Sequence, residues 1–251
     1  MQIQTLEELS LNALPALQQI LDDGWILRFA DGYTKRANSI TPLYQGIAGE
    51  NLVSKIRRCE ALYQKYSLPP IFRLTNMPQW SELNLTLERL KYIKRDSVSV
   101  RVRSIDEESS LSNYNNVEIA IADELSTEWL DNYVHTAEVP FRHWNTISTM
   151  LQIIPHSTCY GMLKHRDRFL SCGLGVLERN YLGIFFLVTA KQQRRRGYAS
   201  QLISAMTDWG YSQGATKVYL QVETANQAGI NLYNKLGFTE IYQYFYRLKH
   251  E

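Results

Sequence analysis

The sequence is poor in cysteine, and its few thiols form no recognisable pattern. Cys59, Cys159 and Cys172 are scattered along the chain, odd in number and without the spacing of a metal site. No motif makes any of them a nucleophile. We interpret them as buried or idle thiols of a protein in a reducing compartment.

A large net charge and a long apolar run are also absent. The chain of 251 residues has 27 Lys and Arg against 25 Asp and Glu, a formal net charge of +2, so the whole molecule does not attract nucleic acid or an anionic membrane. No apolar run approaches the roughly twenty residues that cross a bilayer. The first residues predict an amphipathic helix rather than a secretory leader. We expect a cytoplasmic protein with no nucleic-acid or membrane partner. The apolar face of that helix would consist of Leu6, Leu9, Leu14, Leu17 and Leu21.

Hydrophobic periodicity divides the second half of the chain into helices and strands after a polar stretch at 104–116. Asn226 is suited to cap a helix that Gly237 ends. Further helices are predicted at 125–134, 144–154 and 199–210. Strands are predicted at 158–163, 169–177, 182–188, 217–222 and 241–248.

The first half repeats part of this order. Shifting it by 146 positions brings residues 25–105 onto residues 171–251 without a gap. The order and register of the elements then agree, although the identities are no more than chance gives. This predicts a truncated unit at 1–105 followed by a complete unit at 106–251, against the alternative of one irregular α/β domain. In the first half we predict a hairpin turning at Asp31-Gly32 (25–43), helices around 52–63 and 83–90, and strands at 71–74 and 98–102.

A basic, glycine-containing loop lies between the predicted strand 182–188 and the next helix. A helix N-terminus offers unpaired N–H groups and the positive end of the helix dipole, which suit a pyrophosphate. Glycine allows the backbone to approach a ligand closely. Alone, such a loop is also compatible with a solvated turn or a small nucleic-acid patch. The loop residues are Arg194, Arg195, Arg196, Gly197, Tyr198 and Ala199.

Together with the segment from 217 to 238, this loop resembles the GNAT superfamily of N-acetyltransferases. Arg194, Gly197 and Ala199 match the R-x-x-G-x-A element of that family. A strand, Asn226, Tyr233 and then Gly237-Phe238 come next in the family's order and spacing. The resemblance implies an α/β fold with a mixed, mostly antiparallel sheet flanked by helices, here as a tandem of a truncated and a complete unit.

The resemblance also implies roles for particular residues. Acetyl-CoA would enter a gap between strands 182–188 and 217–222. Backbone groups of Leu187 and Val188 would pair with the pantetheine arm and polarise the thioester carbonyl, and the N–H groups of 195–199 would hold the pyrophosphate. Asn226 would bind the cofactor arm, and Tyr233 would protonate the departing thiolate. By themselves, these two residues also suit a helix cap and a core position.

The sequence leaves the general base open, because the strand 182–188 has no carboxylate, where many members of the family place a glutamate. Glu178 and Glu223 are the candidates, and a water chain to the solvent is an alternative. The segment 141–144 lies where the family's acceptor-binding helices begin. Its aromatic and cationic side chains fit an acceptor pocket, with His143 as a further candidate base, or a packed helix junction.

The first half lacks the equivalents of the cofactor residues. The shift places Asn51 opposite Gly197, Trp80 opposite Asn226 and Leu87 opposite Tyr233. We predict no cofactor site there. Its residues Arg36, Asn38 and Ser39 would form a wall of the acceptor groove or simply cap a sheet.

These observations predict transfer of an acetyl group from acetyl-CoA to a primary amine of a small molecule or peptide, by direct attack and by a monomer. The alternative is a non-catalytic acyl-CoA-binding or regulatory module.

Overall fold

A computed structural model of the chain describes residues 2–46, 51–105 and 117–249. The elements of the first half are α1 (Gln2–Ala13), β1 (Gln18–Asp22), β2 (Trp25–Phe29), β3 (Ile40–Pro42), α2 (Leu52–Lys65), β4 (Ile71–Thr75), α3 (Ser81–Arg89) and β5 (Ile93–Ser104). Those of the second half are β6 (Glu118–Ala122), α4 (Thr127–Thr136), α5 (Trp144–Gln152), β7 (Ser157–His165), β8 (Arg168–Glu178), β9 (Tyr181–Thr189), α6 (Tyr198–Ser212), β10 (Lys217–Glu223), α7 (Gln227–Lys235) and β11 (Thr239–Leu248).

The chain forms two compact units. The first consists of Met1–Val100, Glu223–Ala225 and Ile241–Glu251, and the second of Arg101–Val222 and Asn226–Glu240. Most of β11 therefore lies in the first unit, where it pairs antiparallel with β4, although the sequence placed it in the second. Division of the chain near 105/106 stays a prediction, and most of the polar stretch 104–116 lies outside the described residues.

Within the first unit, β1, β2 and β3 pair antiparallel in that order, and β3 pairs parallel with β4. The helices α2 and α3 are amphipathic, and their apolar sides bury Ile56, Tyr63 and Leu83 in one core with residues of β2 and β4. Burial of these side chains is the main source of the unit's stability.

Within the second unit, β6, β7, β8 and β9 pair antiparallel, and β9 pairs parallel with β10. Helix α6 lies against Gly161, where an added Cβ would be 2.9 Å from Leu202 Cδ1. The neighbouring Tyr160 contacts Trp129 of α4. Since successive strand residues face opposite sides of a sheet, α6 and α4 cover opposite faces.

The predicted fold class is confirmed: helices flank mixed strands that are mostly antiparallel. The shift by 146 positions also brings the bounds of several elements of the first half onto those of the second half. It brings α3 onto α7 at both ends, and it brings the first residues of α2, β4 and β5 onto those of α6, β10 and β11.

Three local features differ from the prediction. The N-terminal helix ends at Ala13, just before Pro15, whose ring cannot continue a helix, so residues 18–22 form a strand. The predicted tight turn at 31–32 forms, with a hydrogen bond from Tyr33 N to the Ala30 carbonyl at 3.0 Å. The strand that pairs with β2 begins only at Ile40, because Asn38 accepts hydrogen bonds from Ala30 and Gly32 and holds a longer loop. The strand β6 was missed altogether.

Candidate active site

The strands β9 and β10 diverge in the second unit. Their parallel pairing runs from Tyr181 opposite Lys217 to Ile184 opposite Leu220 and then stops. Both strands continue, β9 to Thr189 and β10 to Glu223. A gap therefore opens between their carboxyl ends, with the basic loop directly after β9.

A β-bulge at Phe186 accompanies this divergence. The register between β8 and β9 shifts so that Phe186 and Leu187 together face one residue, Gly173. Phe186 has φ +51°, a left-handed conformation that is rare for a bulky residue. A bulge leaves backbone groups outside the ladder and increases the local twist. The ring of Phe186 lies edge-on to Tyr133 of α4, with 5.1 Å between the ring centroids.

Beyond the bulge, the carbonyl of Val188 is already hydrogen-bonded. The buried hydroxyl of Ser171 donates to it at 2.7 Å and also contacts Thr189 Oγ1 at 3.0 Å. One lone pair of this carbonyl is therefore used within the protein. The backbone of Leu187, inside the bulge, remains the better-suited partner for a ligand in the gap.

The basic loop leaves the N-terminus of α6 open. Gly197 is its N-cap residue, with φ +82° and no side chain that caps the first N–H groups. A Cβ at Gly197 would have only Gln201 Nε2 near it, at 3.9 Å. No side chain caps the first N–H groups of α6, and the space beside Gly197 is open, the arrangement that binds phosphate at a helix N-terminus.

Charge around this N-terminus is positive and largely unpaired. Arg195 and Arg196 are exposed and have no carboxylate partner among the described residues. Arg194 donates to the carbonyl of Thr189 at 3.3 Å. Lys191, further from the helix, forms an ion pair with Glu138. This ion pair lowers the pKa of the exposed Glu138 carboxyl.

The helix α7 holds the other two predicted cofactor residues. The side chain of Asn226 caps the helix by accepting from Gly229 N at 2.9 Å, and its amide N–H groups remain available at an exposed position. Tyr233 lies seven residues on, or two turns along about the same face. Its half-buried hydroxyl has no hydrogen-bond partner in the described part of the chain. Burial raises the pKa of this phenol, so it stays protonated near neutral pH.

The two candidate glutamates differ in position. Glu178 lies opposite Tyr181 at the beginning of β9, six residues and so about 20 Å along the strand from Leu187. Its carboxylate contacts His156 Nε2 at 3.2 Å. Glu178 is therefore at the wrong end of β9 to serve a ligand at the bulge. Glu223 is the last residue of β10 and is exposed.

The segment 141–144 forms a packed junction between α4 and α5. Trp144 donates from its indole N–H to the carbonyl of Val139 at 2.9 Å and lies against the rings of His135 and Phe141. The His143 ring is buried, and its Nε2 accepts from Arg142 at 3.1 Å. Phe141, by contrast, is 81% exposed.

The thiols are unsuited to nucleophilic catalysis. All three are free and buried. Burial raises the pKa of Cys159 to about 12 and that of Cys172 further, so neither is a thiolate at neutral pH.

Of the residues proposed for an acceptor groove in the first half, Asn38 and Ser39 are buried within the first unit. Asn38 holds the loop after β2 through its side-chain amide, and the burial of both residues does not suit the lining of a groove. No helix in the described ranges is long and apolar enough to cross a membrane.

Comparison with known proteins gives matches over the whole chain. The family described as "Probable histone acetyltransferase Rv0428c C-terminal" matches residues 1–247. An uncharacterized N-acetyltransferase of Bacillus subtilis, YobR, is 28% identical over 251 residues, covering 98% of each chain. A GCN5-related N-acetyltransferase from Kribbella flavida has a similar fold, with a TM-score of 0.73 at 12% identity over 99% of this chain and 95% of that one. A tandem GNAT protein from the clavulanic acid biosynthesis pathway gives a TM-score of 0.66 at 8% identity, over 96% of this chain and 86% of that one.

Proposed function

The chain belongs to the family of the Rv0428c C-terminal acetyltransferase, within the GNAT superfamily, and is thus an acyltransferase; from this premise we propose that it transfers an acetyl group from acetyl-CoA to a primary amine in its second unit. The observation that carries the proposal is the open, positively charged N-terminus of α6 beside the gap between β9 and β10.

The donor would lie along this gap. Its pyrophosphate would accept hydrogen bonds from the uncapped N–H groups of 195–199, with the unpaired Arg195 and Arg196 adding charge. The pantetheine arm would follow the β9 edge at Leu187 and Val188 and meet the amide of Asn226. Its sulfur end would then come near Tyr233 on the same face of α7.

Only a neutral amine has a free lone pair, whereas an alkylamine with a pKa near 10 is mostly protonated at pH 7. The bound ammonium would therefore first lose a proton to Glu223 or through water to the solvent. The amine nitrogen attacks the thioester carbonyl carbon, and the C–S bond breaks as the amide forms. Backbone N–H groups at the Leu187 bulge would stabilise the developing oxyanion. The thiolate would take a proton from the Tyr233 hydroxyl, and the second proton, which the nitrogen loses as the amide forms, would return through water to the Tyr233 oxygen. Glu178 has no part in this proposal, because it lies at the other end of β9.

Direct attack fits the buried, protonated thiols, since none is available to form an acyl-enzyme. The acceptor would be a small-molecule or peptide amine. We place the reaction in the cytoplasm and in a monomer.

Release of free CoA thiol from acetyl-CoA, measured against a panel of amines, tests the proposal. We expect release that depends on both the amine and the Tyr233 hydroxyl. Tight CoA binding without thiol release for any amine would instead favour the alternative, a non-catalytic acyl-CoA-binding module. That alternative is suggested by the absence of a carboxylate on 182–188.

A further inference from the structure

The end of β9 beyond the bulge is held to β8 by a short chain of hydroxyl groups. Ser171 of β8 is fully buried and donates from its hydroxyl to the Val188 carbonyl at 2.7 Å. The Thr189 hydroxyl lies 3.0 Å from Ser171 Oγ and is the donor in that contact, because a serine hydroxyl has only one proton. Hydrogen bonds in such a chain strengthen one another. The chain therefore fixes one peptide of β9, the peptide between Val188 and Thr189.

Strand alternation indicates which way this peptide faces. Ala190 donates its backbone N–H to the Leu170 carbonyl of β8 at 3.0 Å. Hydrogen-bonded pairs alternate along an antiparallel ladder, so Val188 also directs its N–H and C=O to β8, and Thr189 directs its own to the other side. The Thr189 carbonyl accordingly accepts from Arg194 Nε at 3.3 Å.

The Thr189 N–H thus faces the gap between β9 and β10. The pairing of these strands ends at Ile184, so no strand in the described part of the chain takes up this N–H. In a planar trans peptide the C=O and the N–H point in opposite directions. A bond that holds the Val188 carbonyl toward β8 therefore also holds the Thr189 N–H toward the gap.

This peptide needs the additional bond because the backbone before it is irregular. Val188 pairs with Cys172 directly after the bulge, where Phe186 has a left-handed conformation that is strained for a bulky residue. Without the Ser171 hydroxyl, only the ladder pairing beside the bulge would hold the Val188 carbonyl. Removal of one oxygen atom at this fully buried position leaves too little space for a water molecule to replace it.

We infer that Ser171 is a positioning residue of the donor site, whose hydroxyl directs the Thr189 N–H at the pantetheine arm of acetyl-CoA. The inference rests on the proposed function. Ser171 does not touch the ligand and acts only through the Val188–Thr189 peptide. Its effect is therefore confined to the pantetheine arm, and the nucleotide end of the donor, at the N-terminus of α6, gains nothing from it.

The test is calorimetric titration of the full chain with CoA and with 3′-phosphoadenosine 5′-diphosphate, which is CoA without its pantetheine arm. For Ser171→Ala we expect the Kd of CoA to rise roughly threefold or more, as the loss of one hydrogen bond implies, and the Kd of the nucleotide to stay unchanged. Ser171→Thr retains a hydroxyl opposite Thr189, where a pair of threonines is favourable, and should bind CoA like the unmodified protein.

Thr207→Val is the matched control for a general loss of stability. Thr207 is also buried, and its hydroxyl donates to the Ile203 carbonyl at 2.7 Å, the same length as the Ser171 bond, and accepts from Arg103 at 3.3 Å. It lies about 15 Å along α6 from Gly197. Both Ser171→Ala and Thr207→Val should lower the Tm, but Thr207→Val should leave the Kd of both ligands unchanged.

An unchanged Kd of CoA for Ser171→Ala would overturn the inference. So would an equal rise in the Kd of CoA and of the nucleotide, or an equal rise in the Kd of CoA for Thr207→Val, because each would indicate a general structural effect. If the unmodified protein binds neither CoA nor the nucleotide, the proposed function is contradicted, and this inference with it.

Discussion

Replacing Gly197 by alanine, with Gly214→Ala as a matched control, tests the phosphate site most directly. The two glycines flank the ends of α6 and are both left-handed, with φ +82° and +89°. An added Cβ at Gly197 would have its nearest protein neighbour, Gln201 Nε2, at 3.9 Å, and one at Gly214 would have none within 4 Å. Neither variant creates a clash, so both should lose stability through backbone strain alone.

The size of each effect follows from these positions. A left-handed alanine costs about 1–2 kcal/mol, which should lower the Tm by roughly 2–8 °C per variant in a chain of this size. At Gly197 the methyl group would also stand before the uncapped N–H groups. Loss of two hydrogen bonds to a charged phosphate, at about 1.5 kcal/mol each, corresponds to roughly a hundredfold increase in Kd. Gly214 lies some 25 Å away along the helix and should leave the Kd unchanged.

The measurements are calorimetric titration with CoA and a thermal melt of each variant. We expect similar Tm values for both and a raised Kd for Gly197→Ala alone. Gly197→Glu should abolish binding, because a carboxylate would repel the phosphate. If Gly197→Ala binds CoA as tightly as Gly214→Ala does, the pyrophosphate does not lie at this helix end.

Three further predictions concern the reaction, the stoichiometry and the core. Tyr233→Phe should lower kcat about a hundredfold or more with CoA affinity nearly unchanged, as expected for a positioned acid; full kcat on the true acceptor would leave Tyr233 a packing residue. Titration should give one CoA per chain, since only the second unit has the open, basic helix N-terminus among the described residues, and two equivalents would contradict this. Gly175→Ala should cost about 1–3 kcal/mol of unfolding free energy, because its Cβ would lie 2.6 Å from Cys159 Sγ and 3.0 Å from Leu182 Cδ1. A chemical denaturation curve that does not shift would show that this part of the core can adjust.

Much of the secondary structure could be predicted because its signals are local. The helix α7 begins after Asn226 and stops before Gly237, as a side-chain cap and a left-handed glycine require. Apolar spacing likewise located α2, α3 and α6, whose buried faces repeat every three to four residues. The strands β1 and β6 were missed because they are short and only partly buried, so their hydrophobic pattern is weak.

The R-x-x-G-x-A element at 194–199 and the spacing of Asn226 and Tyr233 after it were also sufficient for the resemblance to the GNAT superfamily and for placing the basic loop before α6. A phosphate-binding loop depends on neighbouring residues: a strand end, a glycine with φ above zero and the first turn of a helix. All of these lie within a dozen positions of each other, so the sequence alone determined where to look for the proposed site.

The geometry of that site was decided by pairing between distant segments. Nothing in the run Leu-Gly-Ile-Phe-Phe-Leu-Val marks Phe186 as the bulged residue. The bulge exists because, between two matched pairs of the ladder, β9 has one residue more than β8. The same pairing puts Glu178 at the far end of β9 from Leu187, which spacing along the chain could not reveal. Burial of the Thr75 hydroxyl, which has no hydrogen-bond partner among the described residues, is likewise decided by tertiary packing, because which side chains surround a buried group depends on how the strands and helices of the unit pack together.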